Sequence, residues 1–438
     1  MRRRTLLVHS GVTCGAATGP PLAVRRWAHT WTAAPQPTAP GDLPPGRFGG
    51  DLVLADTTIR QTVHLSAGGP RLRVRFSNAY GTFPLPISAA AVALPAPATG
   101  PPAAGPSSPG FPTGPPAAGP PSPGLPTGPP GAGSAMGGIT PGTSRPLTFG
   151  GQRSVTVPPG AQIVSDPIPL PVADGSALTV TTYIATGQPG RGLTSHAGAR
   201  TTSWLAPGDQ HTAAELTGAT AVDRWFLVCG VEVWTSAPGL ILLGDSLTDR
   251  SGGWPGHLRE RLPGVAVLNQ AADGNRMLRD GPGPNALARM DRDVLGISGA
   301  TWLLVFEGAG DIGTALPTEA GLRQVIADLT AAYRQVVLRA HAQDLLVYGA
   351  TLTPFGGHAY DDRDGRRERA RMAINGVIRG GIFDAHVDFD TTVRDPRRPD
   401  RLAPAYDSGD HLHLSPAGHR ALAAAVPREL LAAEPIRS

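Results

Sequence analysis

Apolar and polar positions alternate in two different ways along this chain, and the change falls near residue 239. Upstream, short runs of period two are separated by turn residues. Residues 71–76, Arg-Leu-Arg-Val-Arg-Phe, alternate strictly and give a strand with one apolar and one basic face. Comparable runs at 58–65, 154–157, 163–170, 178–184 and 225–234 predict an antiparallel β-sandwich over 27–238. Downstream, continuous apolar runs at 240–243, 265–268, 302–306, 345–348 and 387–389 alternate with helical patterns at 255–262, 286–295, 319–341, 367–378 and 416–433. Strand and helix in alternation predict, over 239–438, an α/β domain of three layers, α/β/α, with a parallel sheet. Ser415-Pro416 marks the start of the last helix, an N-cap followed by proline at the first helical position.

Between 96 and 143 both patterns vanish. Thr-Gly-Pro-Pro-Ala-Ala-Gly at 99–105 returns at 113–119 and, as Thr-Gly-Pro-Pro-Gly-Ala-Gly, at 127–133, a spacing of 14 that is not the three-residue period of collagen. No face of such a repeat can bury apolar area, so it reads as a disordered or polyproline-like insertion into the β-domain. The first 26 residues open Met-Arg-Arg-Arg-Thr-Leu-Leu ahead of a mildly apolar stretch, which resembles a twin-arginine export signal and predicts a secreted protein. No later run reaches the roughly 18 apolar residues of a membrane span.

Composition removes several chemistries. All 38 basic residues are arginine, so Schiff-base, Walker and Ser-Lys mechanisms are excluded. A formal charge of +4 with scattered arginines argues against nucleic acid as partner. Two cysteines, Cys14 and Cys229, supply neither a disulfide framework nor a metal cluster, and neither metal nor cofactor is expected.

Candidate chemistry starts at the end of the first buried strand, where Leu-Leu-Gly-Asp-Ser-Leu presents Ser246 as a nucleophile. A serine hydroxyl needs a base, and the base needs a carboxylate to hold its tautomer. Near the C-terminus Asp-Ser-Gly-Asp-His-Leu-His-Leu-Ser-Pro offers Asp410 and His413, three residues apart and just before the last helix. His411 is the rival base and Asp407 the rival carboxylate. Gly308-x-Gly310-x-x-Gly313 matches the dinucleotide fingerprint by letter, but Pro317 interrupts the helix expected next and Asp328 falls inside a helix, so nucleotide binding is not expected. The acidic run 361–365 lacks the glutamate that closes a calcium loop.

With these blocks in view, the chain from 239 onward resembles the GDSL, or SGNH, hydrolases, and more narrowly their secreted esterases and lipases with an N-terminal β-domain. Gly244-Asp245-Ser246-Leu247 is the first block and Asp410-x-x-His413 the last. Asn269 to Arg276 resembles the second block, with Gly274 as its glycine, and Glu307 to Gly313 the third. The resemblance implies a serine esterase that cleaves carboxylic esters through an acyl-enzyme. Its oxyanion donors would be the backbone N–H groups of Ser246 and Gly274 and a third-block asparagine side chain. Here that asparagine is replaced by Gly310. Loss of one such donor costs roughly 10²–10³ in turnover, and Asn275 is the nearby side chain considered as a substitute. Acetylated polysaccharide and lipid or short-chain esters are both open as substrates, and the oligomeric state is left open. The alternative is a catalytically weakened glycan-binding module on the same fold.

Overall fold

A computed structural model describes residues 24–97, 137–190, 192–250 and 252–432. The predicted export signal and most of the Pro/Gly-rich insertion lie outside these residues, as does Cys14. Where the insertion rejoins the described chain it is built into the fold earlier than its composition suggests. Ile139 is buried and bridges Pro95, and the Gly137 carbonyl accepts from Arg60.

Residues up to 235 are β-rich and antiparallel. One sheet has four strands in the order Arg26–Thr32, Val228–Thr235, Leu72–Ser77, Gln162–Val164. A six-stranded sheet is centred on Thr57–His64 and Ala177–Ile184. Apolar side chains of both meet in one core that includes Ile59, Val63, Val74, Phe76 and Val180. The strand expected over 163–170 stops at Val164, and Ile168 keeps only an isolated bridge to Leu72.

From 239 the sheet is parallel. Strands β1 (Gly239–Gly244), β2 (Ala266–Asn269), β3 (Ala300–Phe306), β4 (Leu346–Ala350) and β5 (Ala385–Val387) lie in the order β2-β1-β3-β4-β5. Every residue of β1 is buried, which is why it reads as a continuous apolar run rather than an alternating one. Helices α1 (Ser246–Asp249), α2 (Trp254–Arg261), α3 (Ala286–Met290), α4 (Ala309–Thr314), α5 (Glu319–His341), α6 (Arg366–Val377), α7 (Phe389–Val393) and α8 (Pro416–Ala425) connect and cover it. α8 packs on α2 and α7, whereas α5 packs on α3, α4 and α6. With β1 in second place and β3 beside it, the chain reverses its direction of growth between these two strands. Their carboxyl ends open the crevice where α/β sheets carry their sites.

Three helix assignments need correction. The last helix ends at Ala425, because Pro427 removes an N–H and leaves only a 3₁₀ turn at Arg428–Ala432. A helix does open directly after Gly308, as α4, and it ends at Thr314 before Pro317. Residue 389, expected in a strand, starts α7. No helix among the described residues is long and apolar enough to cross a membrane.

Candidate active site

β1 delivers Asp245 and Ser246 at its carboxyl end, and the local sequence dictates the turn. Asp245 is the N-cap of α1, with its carboxylate accepting from the Leu247 N–H at 2.9 Å. Gly244 has no alternative there, since a Cβ would stand 2.8 Å from the Phe306 carbonyl oxygen on β3. Ser246 is therefore held half-buried at the head of a single helical turn, beside the crevice between β1 and β3.

The loop before α8 brings its groups to the same place. Ser246 Oγ lies 3.0 Å from His413 Nε2, and His413 Nδ1 lies 2.6 Å from Asp410 Oδ2. The second Asp410 oxygen accepts from the His413 and Leu412 backbone N–H groups and from Ser408 Oγ. Burial alone pushes the Asp410 carboxyl up, but the His413 ring and these backbone donors outweigh it and hold the group far below its ordinary range. His413 is pushed below its ordinary value by burial and then by the Arg250 charge, against the pull of Asp410. With Nδ1 donating to a carboxylate, Nε2 is free to accept the serine proton, the protonation pattern that general-base catalysis requires.

His411 and Asp407, the rival base and carboxylate, pair with each other at 2.6 Å one turn apart, on the more exposed side of the same loop. This second pair is out of reach of sequence spacing because it closes over four residues, with His411 at φ +65°.

On the other side of Ser246 lies the loop after β2. Gly274 sits at φ +67°, where a Cβ would also meet Pro282 at 2.9 Å, so only glycine fits. Asp311 of α4 anchors this loop by accepting from the Met277 and Leu278 N–H groups at 2.7 and 2.9 Å. Arg289, buried on α3, donates to Asn275 Oδ1 and to the Gln270 carbonyl. The Asn275 amide donates to the Pro284 carbonyl at 2.8 Å. Both ends of the Asn275 side chain are thus committed away from Ser246, which removes it as the substitute donor.

Gly310 lies at the start of α4, and the space beyond its missing side chain is taken. A Cβ there would meet Arg276 Cγ at 3.1 Å and Cδ at 3.7 Å. The Arg276 stem runs through the volume that an asparagine would use. Its Nη atoms reach Thr314 Oγ1 and the Asp280 carbonyl, and its buried Nε has no acceptor among the described residues.

A further set of residues escaped sequence reasoning. Asp249, the last residue of α1, receives His196 Nε2 at 3.0 Å and Arg200 Nη2 at 2.7 Å from the β-rich region. Its other oxygen accepts the Asp273 N–H at 3.1 Å, one residue before Gly274. His196 Nδ1 faces the Ala34 carbonyl at 2.8 Å, so both ring nitrogens are engaged. One buried carboxylate therefore ties the serine turn and the Gly274 loop to the β-rich half of the chain. Pairings across 53 and 49 residues leave no signal in spacing.

Below the serine, Asp245, Glu307 and Asp311 are buried together. Burial and then the neighbouring acids push the Glu307 carboxyl well above its ordinary range, and neither of its oxygens has a hydrogen-bond partner among the described residues. Among the described residues no group of His, Cys, Asp and Glu is arranged to hold a metal ion.

A parallel sheet in this order, with a serine after its second strand in space and a His–Asp pair in the last loop, is the layout of a hydrolase. Comparison with known proteins gives the family. Residues 242–421 match the profile of the GDSL-like lipase/acylhydrolase family, which assigns this part of the chain to a GDSL, or SGNH, hydrolase domain. That match supports carboxylic ester hydrolysis as the reaction class of the domain. A search of curated proteins found no match. Among solved structures it is similar to an acetylxylan esterase, Axe2, from Geobacillus stearothermophilus, at 22% identity over 46% of this chain and 97% of that one, with a TM-score of 0.34. A GDSL-like lipase from Bacteroides thetaiotaomicron is similar at 15% identity over 45% of this chain and 89% of that one, with a TM-score of 0.33.

Proposed function

We propose that the chain is a serine esterase in which Ser246 is the nucleophile, His413 the general base and acid, and Asp410 the residue that orients the imidazole. Ser246 Oγ attacks the ester carbonyl while His413 Nε2 takes its proton and passes it to the departing alcohol. Water then cleaves the acyl-enzyme by the same route in reverse order, releasing the carboxylic acid and restoring Ser246. The single observation that carries this reading is the line Ser246 Oγ, His413, Asp410, with contacts of 3.0 and 2.6 Å.

The Ser246 and Gly274 N–H groups are the oxyanion donors in this reading. The third position is filled by the Arg276 stem instead of an asparagine amide, so turnover is slower than in a relative with all three donors by roughly 10²–10³. The substrate is an acylated glycan or a lipid or short-chain ester, met outside the cell after export through residues 1–26, with the β-rich region folded as a sandwich in front of the hydrolase. The second reading, a weakened module that binds glycan without cleaving it, is favoured by the same loss at Gly310.

A panel of short- and long-chain aryl esters, with Ser246→Ala as control, separates the two. Hydrolysis abolished by Ser246→Ala is expected. Activity that survives the substitution would sink the mechanism, and no activity on any ester would favour the binder.

A further inference from the structure

Where the β-rich half meets the hydrolase lies a cavity of about 250 Å³ that includes none of Ser246, Asp410 and His413. Trp31, His64, Arg200 and Trp225 wall one side, and the first turn of α2 with Arg259 walls the other. Its charge is one-sided. Two guanidinium groups, Arg200 and Arg259, and the imidazoles His64 and His257 face a single carboxylate, and that one, Glu260, is exposed and lies 3.8 Å from His257. Arg200 spends one nitrogen on Asp249. Among the described residues the Arg259 guanidinium has no carboxylate within ion-pair distance and no hydrogen-bond acceptor.

A second observation is independent of charge. The Trp225 indole is 2% exposed, stacks with His196 and carries the Arg200 guanidinium, yet its Nε1–H has no acceptor among the described residues. A buried donor is ordinarily satisfied, and leaving one unmade costs about 1–3 kcal/mol. α2 adds to the same wall. Its N-cap Gly253 and first-turn residues Pro255 and Gly256 line the cavity, so the positive end of the helix dipole lies beside it. Two guanidinium groups sharing one cavity also repel. Burial and then Arg259 depress His64, while burial and Arg259 depress Arg200 against the pull of Asp249.

We propose that this cavity is a binding site for a small oxyanion, a carboxylate or a phosphate, gripped by Arg259 and Arg200 beside the Trp225 ring. Charge-assisted bonds from two arginines suit a planar or tetrahedral oxyanion, and the fork geometry of each matches two of its oxygens. The volume lies below the roughly 300–1,000 Å³ of drug-sized pockets, which suits a small anionic group. Arg200 belongs both to this site and to the Asp249 contact, which connects an occupant with the two loops flanking Ser246.

The test uses the full chain and two probes, sodium phosphate and sodium glucuronate, titrated at constant ionic strength and followed by calorimetry and thermal unfolding. Saturable binding of at least one probe is expected, weakened tenfold or more by Arg259→Gln. Phosphate alone would mark a tetrahedral ligand and glucuronate alone a carboxylate. In the wild-type protein the Trp225 indole N–H resonance should shift along the same saturation curve, a readout that does not depend on a variant folding. No saturable binding of either probe, binding unchanged by Arg259→Gln in a folded protein, or an unmoved indole resonance would each overturn the proposal. None of these readouts uses ester turnover, so they stand or fall separately from the esterase reading.

Discussion

Two histidine–aspartate pairs flank the serine turn, and they are built in opposite ways. Asp410 and His413 are three residues apart in one loop, partly exposed, and the backbone of that loop supplies the donors that keep the carboxylate charged. Asp249 and His196 come from different halves of the chain, 53 residues apart, and both are almost completely buried. In the proposed mechanism the first pair hands a proton to and from Ser246. The second moves no proton in the reaction and instead fixes where the Ser246 turn and the Gly274 loop stand relative to each other. Chemistry that depends on one hydrogen bond can be written locally, whereas alignment of two loops requires a finished fold.

Substitutions separate the two kinds of pair most sharply at the first. His413→Gln should lower kcat/KM for an activated ester by roughly 10⁴-fold or more, while His411→Gln in the neighbouring exposed pair should leave it near wild type. Equal losses from both would remove the distinction between the two histidines. At the second pair, Asp249→Ala should destabilise the fold by about 3–5 kcal/mol, the cost of removing the acceptor shared by His196, Arg200 and the Asp273 N–H. Steady-state kinetics of the folded fraction should show a loss of about 10²-fold, as expected for an ångström-scale displacement. The acid limb of its pH–rate profile should stay in place. A limb that moved would show that Asp249 acts on the proton and not on position.

Smaller effects sharpen the oxyanion side. Gly310→Asn alone must push the Arg276 stem aside, because its Cβ would stand 3.1 Å from Arg276 Cγ. Turnover should therefore rise more, by about tenfold, when it is combined with Arg276→Ala. No gain in the double variant would mean that the third donor does not limit the rate. The smallest effect is on pH. The base must be neutral, so kcat/KM falls as pH drops through the pKa of His413, which burial and Arg250 hold below the ordinary value near 6.5. Arg250→Gln removes a positive charge, stabilises the imidazolium and should move that limb to higher pH. A shift in the other direction would contradict the assignment.

Legibility in the sequence follows the same division. The helix at Glu319–His341 was readable to its ends, because Thr318 caps an amphipathic run long enough to show its period. The turns α1, α4 and α7 were not, since four to six residues cannot display a period of 3.6. Ser246, Asp410 and His413 stood out because a strand end and a short loop announce them. Asp249, His196 and Arg200 did not, for their meeting depends on how the two halves pack. Nor could Asn275 be judged from its position beside Gly274, since what disqualifies it is the Pro284 carbonyl and Arg289.

The central claim is that Ser246 Oγ, activated by His413, is the atom that takes the acyl group. An aryl phosphonofluoridate forms a stable adduct with such a serine, and mass spectrometry of the digested protein locates it. The account predicts one adduct, on the peptide containing Ser246, formed far more slowly in His413→Gln. An adduct on another residue, or labelling of Ser246 that is indifferent to His413, would contradict it.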